Sequence, residues 1–246
     1  MKYSSEKIKR KVFIFIGPEK TGTTTVFDLL PFHRVPLQKE MFNLSRKKDL
    51  KAERRRIVKQ LLVQEAAYIV EPTYFISEFA RQNIQKLSSD YDVCLIHTQR
   101  NPLKRSISHY LHHKSKGRVS NIDEALSLFP EILEASRYDK YLDKWVSDFS
   151  DVKVIDLDKN NNLEFGLNGL GIKARCNHDA ISNRRLAPKN LFVAKYLTLC
   201  WRKLIQIGLN SVIPRALKKL VKKHVYYGGD PVEISKEEEE CLKRKF

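Results

Sequence analysis

The stretch KVFIFIGPEKTGTTTVFDLL, from Lys11 to Leu30, decides the fold. Lys11 to Ile16 is a continuous β-branched and aromatic run, the pattern of a strand that is buried on both faces. A glycine-bearing loop follows, and a helical pattern runs from about Thr23 to Leu30. Backbone N–H groups, a helix dipole and a lysine converge at such a junction, so it can bind a phosphate. A tight turn capped by a threonine side chain is the structural alternative.

The spacing of this loop nearly matches the nucleotide-binding pattern G-x-x-x-x-G-K-[ST]. Thr23 stands where that pattern has its lysine, and the lysine of this loop comes earlier, at Lys20. Where the nucleotide-binding loop uses a lysine and a metal, this loop has the hydroxyl groups of Thr21, Thr23, Thr24 and Thr25. The loop therefore predicts an anion site that departs from the ATP-binding pattern.

A second motif, RNPLKRSISHY, follows the buried strand DVCLIHT, which spans Asp92 to Thr98. Arg100 comes at the end of that strand, where open α/β sheets bind their ligands. Pro102 opens a helix, and Ser108 lies about two turns along it. Arg100 can offer a bidentate fork and Ser108 a hydroxyl to the same phosphate. Taken singly, each residue is better explained as part of an ordinary helix start, with a surface arginine and a serine that has no special role.

The rest of the chain alternates strand and helix patterns. Further strands are predicted at Arg34–Leu37, Ala67–Val70 and Val152–Leu157. Further helices are predicted at Leu50–Gln64, Tyr74–Leu87, Pro102–Lys116, Leu126–Phe149 (as one or two helices) and Leu191–His224, with a turn at Asn160–Asn162. Alternation of this kind predicts a single α/β domain with a central parallel β-sheet flanked by helices, P-loop-like in its first unit. That domain is expected to span 1–246, with a flexible basic N-terminus at 1–10 and a helical part at 190–246.

Composition narrows the classes of function. Of 246 residues, 46 are Lys or Arg and 29 are Asp or Glu, a net charge of +17. A surplus of this size points to an anionic partner. Four widely spaced cysteines form neither a zinc signature nor a disulfide framework, and Cys94 is expected to be a small buried hydrophobe. The sequence contains no signal peptide pattern and no apolar run long enough to span a membrane, so we expect a cytoplasmic protein. A luminal Golgi domain cut from a longer chain is also compatible with the sequence.

Together the two motifs resemble those of the sulfotransferases that use 3′-phosphoadenosine 5′-phosphosulfate (PAPS). Lys20, Gly22, Thr23 and Thr24 match the family's K-x-G-T-T loop, and Arg100 and Ser108 match its later R-x-x-x-x-x-x-x-S segment. Four further segments are similar to the carbohydrate and heparan-type branch or its bacterial members: LQKEMFN at 37–43, EPTYF at 71–75, EASRYDKYLDKW at 134–145 and the C-terminal PVEISKEEEECLKRKF.

The resemblance implies a sulfotransferase fold, PAPS as donor, its product PAP and no required metal. Lys20 and Glu40 would be the catalytic residues, Lys20 on the leaving phosphate and Glu40 as general base. The loop from Lys20 to Thr25 would hold the 5′-phosphosulfate, and Arg100 and Ser108 the 3′-phosphate. A late basic loop, NRRLAPKN, offers Arg184, Arg185 and Lys189 to the cofactor or is a solvated turn. The matching segments imply a saccharide acceptor, with no nucleic-acid partner.

The sequence departs from the family at two neighbouring positions. Val70 stands where the branch often has a lysine, and Glu71 stands where it has a small hydroxyl residue before Pro72. His109, His112 and His113 follow Ser108 but lack the glutamate of the zinc-protease motif, so they are expected to line a helix face near the cofactor. Two other classes compete with the sulfotransferase. One is a P-loop nucleotide kinase, which the threonine at position 23 disfavours, and the other is a basic nucleic-acid-binding protein, which leaves both motifs unexplained.

Overall fold

The computed structural model describes residues 9–30, 50–160, 163–174 and 232–246, together with positions 196 and 200. The chain divides into two compact units. The sheet unit comprises 1–102 and 137–180, and the helical unit comprises 103–136 and 181–246. Each unit is described by itself below. Integration of 1–246 into one domain stays a prediction.

The sheet unit is built on four parallel strands in the order β2-β1-β3-β4. The strands are β1 (Lys11–Phe15), β2 (Ala67–Val70), β3 (Asp92–Gln99) and β4 (Val152–Asp156). β1 and β3 are the central pair, and their runs of buried apolar residues follow from coverage on both faces. This arrangement confirms the predicted α/β class and the central parallel sheet.

Helices cover both faces of the sheet. They are α1 (Thr23–Leu29), α2 (Leu50–Leu61), α3 (Glu78–Ser88), α7 (Tyr138–Asp148), α8 (Leu157–Asn160) and α9 (Leu163–Gly169). Ile14 and Leu95 face a core shared with α2, α3 and α7. Phe15 and Ile96 face the opposite core, shared with α1 and α9. Successive strand residues therefore serve opposite layers, as the period of two along a strand requires.

The helical unit contains most of α4 (Pro102–Lys114), then α5 (Ile122–Leu128), α6 (Glu131–Glu134) and α10 (Lys236–Lys243). Ser235 caps α10 in a reciprocal capping box with Glu238. Glu238 also accepts hydrogen bonds from Tyr110 and, at 3.0 Å, from Lys114. Burial and then this carboxylate raise the pKa of Tyr110, so the phenol remains a donor. The contact fixes the last helix against α4.

Some predicted elements differ from those observed, and others fall outside the described residues. The segment predicted as one or two helices, Leu126–Phe149, contains the end of α5, all of α6 and α7. Pro130 follows α5 closely and prevents the helix from continuing, because proline has no backbone N–H to donate. A second break follows at Ser136, whose hydroxyl is bonded to Arg105 and Ser106. The predicted strand Arg34–Leu37 and the predicted helix Leu191–His224 lie outside the described residues, apart from helical positions 196 and 200.

Among the helices that the structure describes, none combines the length and the apolar character needed to cross a bilayer. Cys94 is buried on β3, as expected, and burial followed by the nearby Asp151 raises the pKa of its thiol to about 12. The thiol therefore stays protonated and behaves as a small apolar side chain.

One core residue is unusual. His97 on β3 is fully buried, stacks on Phe75 with ring centroids 4.4 Å apart, and meets the edge of Tyr138. Neither of its ring nitrogens has a hydrogen-bond partner within the described residues. Burial lowers its pKa from 6.5 to about 3, so the ring is neutral in the folded protein at physiological pH.

This histidine predicts a specific dependence of stability on pH. Between pH 6.5 and about 3, the unfolded chain binds a proton at this ring that the folded chain rejects, so stability falls as pH falls. In this range the residue lowers the free energy of unfolding by about 1.4 kcal/mol for each unit by which the pH falls. Replacement by an apolar side chain of similar size, His97→Leu, should remove that part of the slope in urea unfolding at pH 7, 6 and 5. Equal slopes in the two proteins would contradict a buried neutral histidine.

Candidate active site

The general rule for open α/β sheets, applied to this strand order, predicts a ligand crevice at one edge of the sheet. β1 and β3 are neighbours at the centre of the sheet. The next described strand after β1, β2, lies on the outer side of β1, whereas the next after β3, β4, lies on the outer side of β3, so the chain proceeds in opposite directions from the two central strands. Such a switch of direction between adjacent strands leaves a crevice at their carboxyl ends, where ligands of open α/β sheets bind. The loop after β1 and the residues after β3 border this crevice. Lys20 and Arg100, which belong to the two sequence motifs, therefore lie at the same edge of the sheet.

The loop after β1 is tied closely to β3. A Cβ atom added at Gly17 would lie 2.0 Å from Oγ1 of Thr98 and 2.8 Å from its backbone nitrogen. Thr21 is fully buried, and its hydroxyl lies 2.8 Å from that of Thr98 while donating to the carbonyl of Pro18 at 2.7 Å. The described contacts of the Thr21 side chain thus hold the loop on β3.

The backbone of this loop turns through two left-handed residues. Lys20 has φ 71° and Gly22 has φ 75°. Lys20 is the one non-glycine residue with positive φ among the described residues. That conformation costs a side-chain-bearing residue about 1 to 3 kcal/mol, and such strain is concentrated at functional sites. Lys20 is partly exposed at the crevice.

Helix α1 begins without a side-chain cap in the described part of the chain. Gly22 is its N-cap residue, and the first turn contains no acidic side chain. The threonine-capped turn, the structural alternative for this loop, is therefore not observed. Thr23 is buried, Thr25 is partly buried and Thr24 is exposed. The first N–H groups of a helix need acceptors from outside the helix, and an anion at the crevice can supply them.

Arg100 follows β3 directly and is partly exposed. Within the described residues it takes part in no hydrogen bond or ion pair. Its neighbours are engaged with β4 and α8: Gln99 donates to Asp156 at 3.2 Å, and the backbone N–H of Asn101 donates to Asp158. An arginine at the end of a central strand with its charge not offset by a carboxylate is suited to bind an anion.

Ser108 is a buried residue of α4 and belongs to the helical unit. The same helix contains a buried group formed by Arg105, His109 and His113, of which the sequence pattern indicated the histidines but not the arginine. Arg105, which has only donors, bonds to Nδ1 of His109 at 3.2 Å, so His109 carries its proton on Nε2. That proton is donated to Nε2 of His113, 3.2 Å away. Arg105 also bonds to the carbonyl of Ile132 at 3.0 Å.

These bonds define what the histidines do in the helical unit. The ring nitrogens of His109 and His113 that face each other are joined by a hydrogen bond, and His113 stacks on Phe129 at 3.8 Å. Among the described residues, no group of three or more His, Cys, Asp and Glu is arranged to hold a metal ion. The histidines therefore belong to the packing between α4 and the chain around α6. Nothing in the sequence pattern of α4 marks Arg105 as buried, because its partners lie about 30 residues further along the chain.

The remaining predicted site residues divide into two groups. Glu40, Arg184, Arg185 and Lys189 lie outside the described residues, so their predicted roles stay predictions. Val70 and Glu71, the two departures from the family pattern, are both described and buried. Val70 pairs with Phe15 and packs in the core beneath α1, which explains an apolar residue there.

Comparison with known proteins gives a likeness in structure. No protein-family model matches the chain, and no curated protein matches it. A solved structure, the sulfotransferase from Alicyclobacillus acidocaldarius, superimposes with a TM-score of 0.52 and 19% sequence identity. The match covers 67% of this chain and 82% of that chain. The protein therefore shares the fold of a bacterial sulfotransferase.

The contact between Gly17 and Thr98 predicts that a single methyl group disrupts the site. Gly17→Ala should lower the free energy of unfolding by about 1–3 kcal/mol, since the clash involves backbone atoms as well as a hydroxyl. Gly169→Ala is the matched control, because no atom lies within 4 Å of its added Cβ and alanine favours the end of α9. Urea unfolding of both variants checks this. Equal stability of the two variants would show that β1 and β3 separate easily at this point.

Proposed function

We propose that this protein is a PAPS-dependent sulfotransferase. One observation carries the proposal: a strained, uncapped loop bearing Lys20 borders the same crevice as Arg100, whose charge no described residue offsets. The shared fold with a bacterial sulfotransferase supports it. PAPS has a 5′-phosphosulfate and a 3′-phosphate, so its recognition needs two anion sites, and the two motifs offer two.

The donor is bound in the proposed site by backbone and side-chain groups together. The N–H groups of Gly22, Thr23 and Thr24 bind the 5′-phosphate, and the Lys20 ammonium neutralises charge on the bridging oxygen. Arg100 and Ser108 bind the 3′-phosphate, and Arg184 and Arg185 add positive charge to the cofactor. Thr21 keeps the loop in place through Thr98, whereas Thr25 presents a hydroxyl one turn further on.

Transfer proceeds by in-line displacement at sulfur. The acceptor oxygen forms a bond to sulfur while the bond from sulfur to the bridging oxygen breaks, and the electron pair of that bond leaves with PAP. Lys20 stabilises the charge that develops on the leaving phosphate. Glu40 takes the proton of the acceptor hydroxyl as general base. No metal is assigned a role, because lysine and arginine supply the cations.

The proposed acceptor is a saccharide or glycoconjugate hydroxyl, or an amine. This rests on the likeness of the segments at 37–43 and 134–145 to sulfotransferases that act on sugars, and on the basic charge of the chain. Most of the surplus of Lys and Arg belongs to 31–49 and 175–231, including RKK at 46–48 and LKKLVKKH at 217–224. A basic surface concentrates anionic acceptors and raises their rate of encounter.

The donor site is tested by calorimetric titration with PAP, with ATP plus Mg²⁺, and with an oligonucleotide. The wild-type protein should bind PAP tightly without metal. Arg100→Ala should lower the affinity for PAP about 10- to 100-fold, because it removes a charge-assisted contact with a phosphate. Lys20→Gly relieves the left-handed backbone, so it should fold with a stability within about 1 kcal/mol of wild type and yet lose transfer about a hundredfold or more.

Lys153→Ala is the control for charge, since it removes an exposed cation from β4. It should leave PAP affinity unchanged. An Arg100→Ala protein that binds PAP within twofold of wild type would remove Arg100 from the 3′-phosphate site. Preference for ATP with Mg²⁺ would select the kinase class, and preference for the oligonucleotide would select the nucleic-acid-binding class.

The acceptor and the base are tested together by transfer of ³⁵S from labelled PAPS. Wild-type protein should label members of an oligosaccharide panel, with labelling of anionic members suppressed by salt. Glu40→Gln keeps the size and polarity of the side chain but cannot accept the proton, so turnover should fall about 10²–10⁴-fold at nearly unchanged PAP affinity. Labelling of p-nitrophenol or a sterol alone would refute the saccharide acceptor, and half-maximal activity in Glu40→Gln would move the base to another residue.

A further inference from the structure

Glu71 is a buried carboxylate at the same edge of the sheet as Lys20. It follows β2 directly, and its backbone N–H donates to the carbonyl of Phe15 at 3.3 Å. Phe15 is the last residue of β1, so Glu71 stands beside the start of the loop that bears Lys20. Its exposed fraction is 4%. A carboxylate is rarely buried to this extent unless hydrogen bonds or a ligand compensate it.

The orientation of this carboxylate is fixed by the turn that follows β2. Thr73 donates to Oε1 of Glu71 twice, from its backbone N–H at 3.2 Å and from its hydroxyl at 2.9 Å. The carbonyl of Glu71 accepts from the N–H of Tyr74 at 3.2 Å, which closes the turn. Both bonds end on the same carboxylate oxygen, so Thr73 fixes the orientation of the group.

The strand order arranges charge along this edge in a definite sequence. Passing from β2 to β4, the charged residues at or after the carboxyl ends include Glu71, then Glu19 and Lys20 in the β1 loop, then Arg100 and Asp156. The cations Lys20 and Arg100 therefore follow the two central strands, and a carboxylate stands at the end of each outer strand. Asp156 is committed to structure, because it accepts from Gln99 and from the N–H groups that begin α8.

We infer that Glu71 is an acceptor-side residue that selects for a hydroxyl or an ammonium group next to the transferred sulfuryl group. The inference rests on the proposed function. A donor whose 3′-phosphate is at Arg100 and whose phosphosulfate is at Lys20 points its sulfuryl end away from β3 and toward β2. Glu71 stands on that side, where a carboxylate accepts a hydrogen bond from the attacking group and repels an anion beside it.

A comparison of two nucleotides tests this placement without an acceptor. PAPS and PAP differ by the sulfuryl group alone, so the ratio of their affinities reports what surrounds that group. Glu71→Gln removes the charge of the carboxylate, so the ratio of PAPS affinity to PAP affinity should rise about tenfold. The affinity for PAP alone should stay within twofold of wild type. Glutamine keeps an oxygen for both bonds from Thr73, so the melting temperature should change little.

Glu65→Gln is the matched control, since Glu65 is an exposed glutamate at the opposite end of β2. It should leave the ratio of PAPS to PAP affinity unchanged. An unchanged ratio in Glu71→Gln would overturn the assignment of Glu71 while leaving the proposed function intact. Failure of the wild-type protein to bind PAP would overturn the proposed function itself and, with it, this inference.

The selectivity is measured on the PAP complex with two disaccharides of glucosamine, one with free amines and one N-sulfated. Wild-type protein should bind the amine form more tightly, and Glu71→Gln should narrow the difference between the two at least threefold. An N-sulfated form that binds wild type as tightly as the amine form, or no measurable binding of either form, would overturn the selectivity assigned to Glu71.

Discussion

The close approach of the β1 loop to β3 is the constraint on which the proposed site depends. Gly17 has no side chain, so its backbone packs against Thr98, and the hydroxyl groups of Thr98 and Thr21 meet at 2.8 Å. Lys20 and Gly22 then have to turn through left-handed conformations to reach the start of α1. The proposed anion-binding edge thus depends on how tightly two neighbouring strands and one loop are joined.

The charges of the four strand ends give this edge a pattern of its own. The cations Lys20 and Arg100 follow the central strands and the outer strands end in carboxylates, an arrangement that favours the proposed anion at the centre of the edge. Asp156 combines two structural tasks there, as a partner of Gln99 and as the acceptor that starts α8. Glu71 has a different setting, since Thr73 orients it beside the loop of Lys20.

Short sequence patterns predicted those elements whose interacting residues are neighbours along the chain. The buried strand, the glycine loop and the helix start all lie within 11–30, and the residue types there determine the backbone over short distances. The strand order had no such signal, because β1 pairs with strands more than fifty residues away. The burial of Arg105 and the isolation of His97 depend in the same way on distant residues, among them Ser136 and Tyr138. Glu71 drew attention in the sequence as a departure from the family, but its position beside β1 required the structure.

The last helix has a consequence for the order in which the chain can fold. Tyr110 and Glu238, which join α4 to α10, are 128 residues apart in sequence, and Leu242 of α10 is fully buried in the core around α4. During synthesis, both segments of the sheet unit leave the ribosome before α10 is made. The stretch 103–136 therefore has to wait, with its apolar side chains incompletely covered, for several seconds at ordinary rates of translation, about 5–20 residues per second. In that interval the apolar side chains of this stretch depend on protection from aggregation.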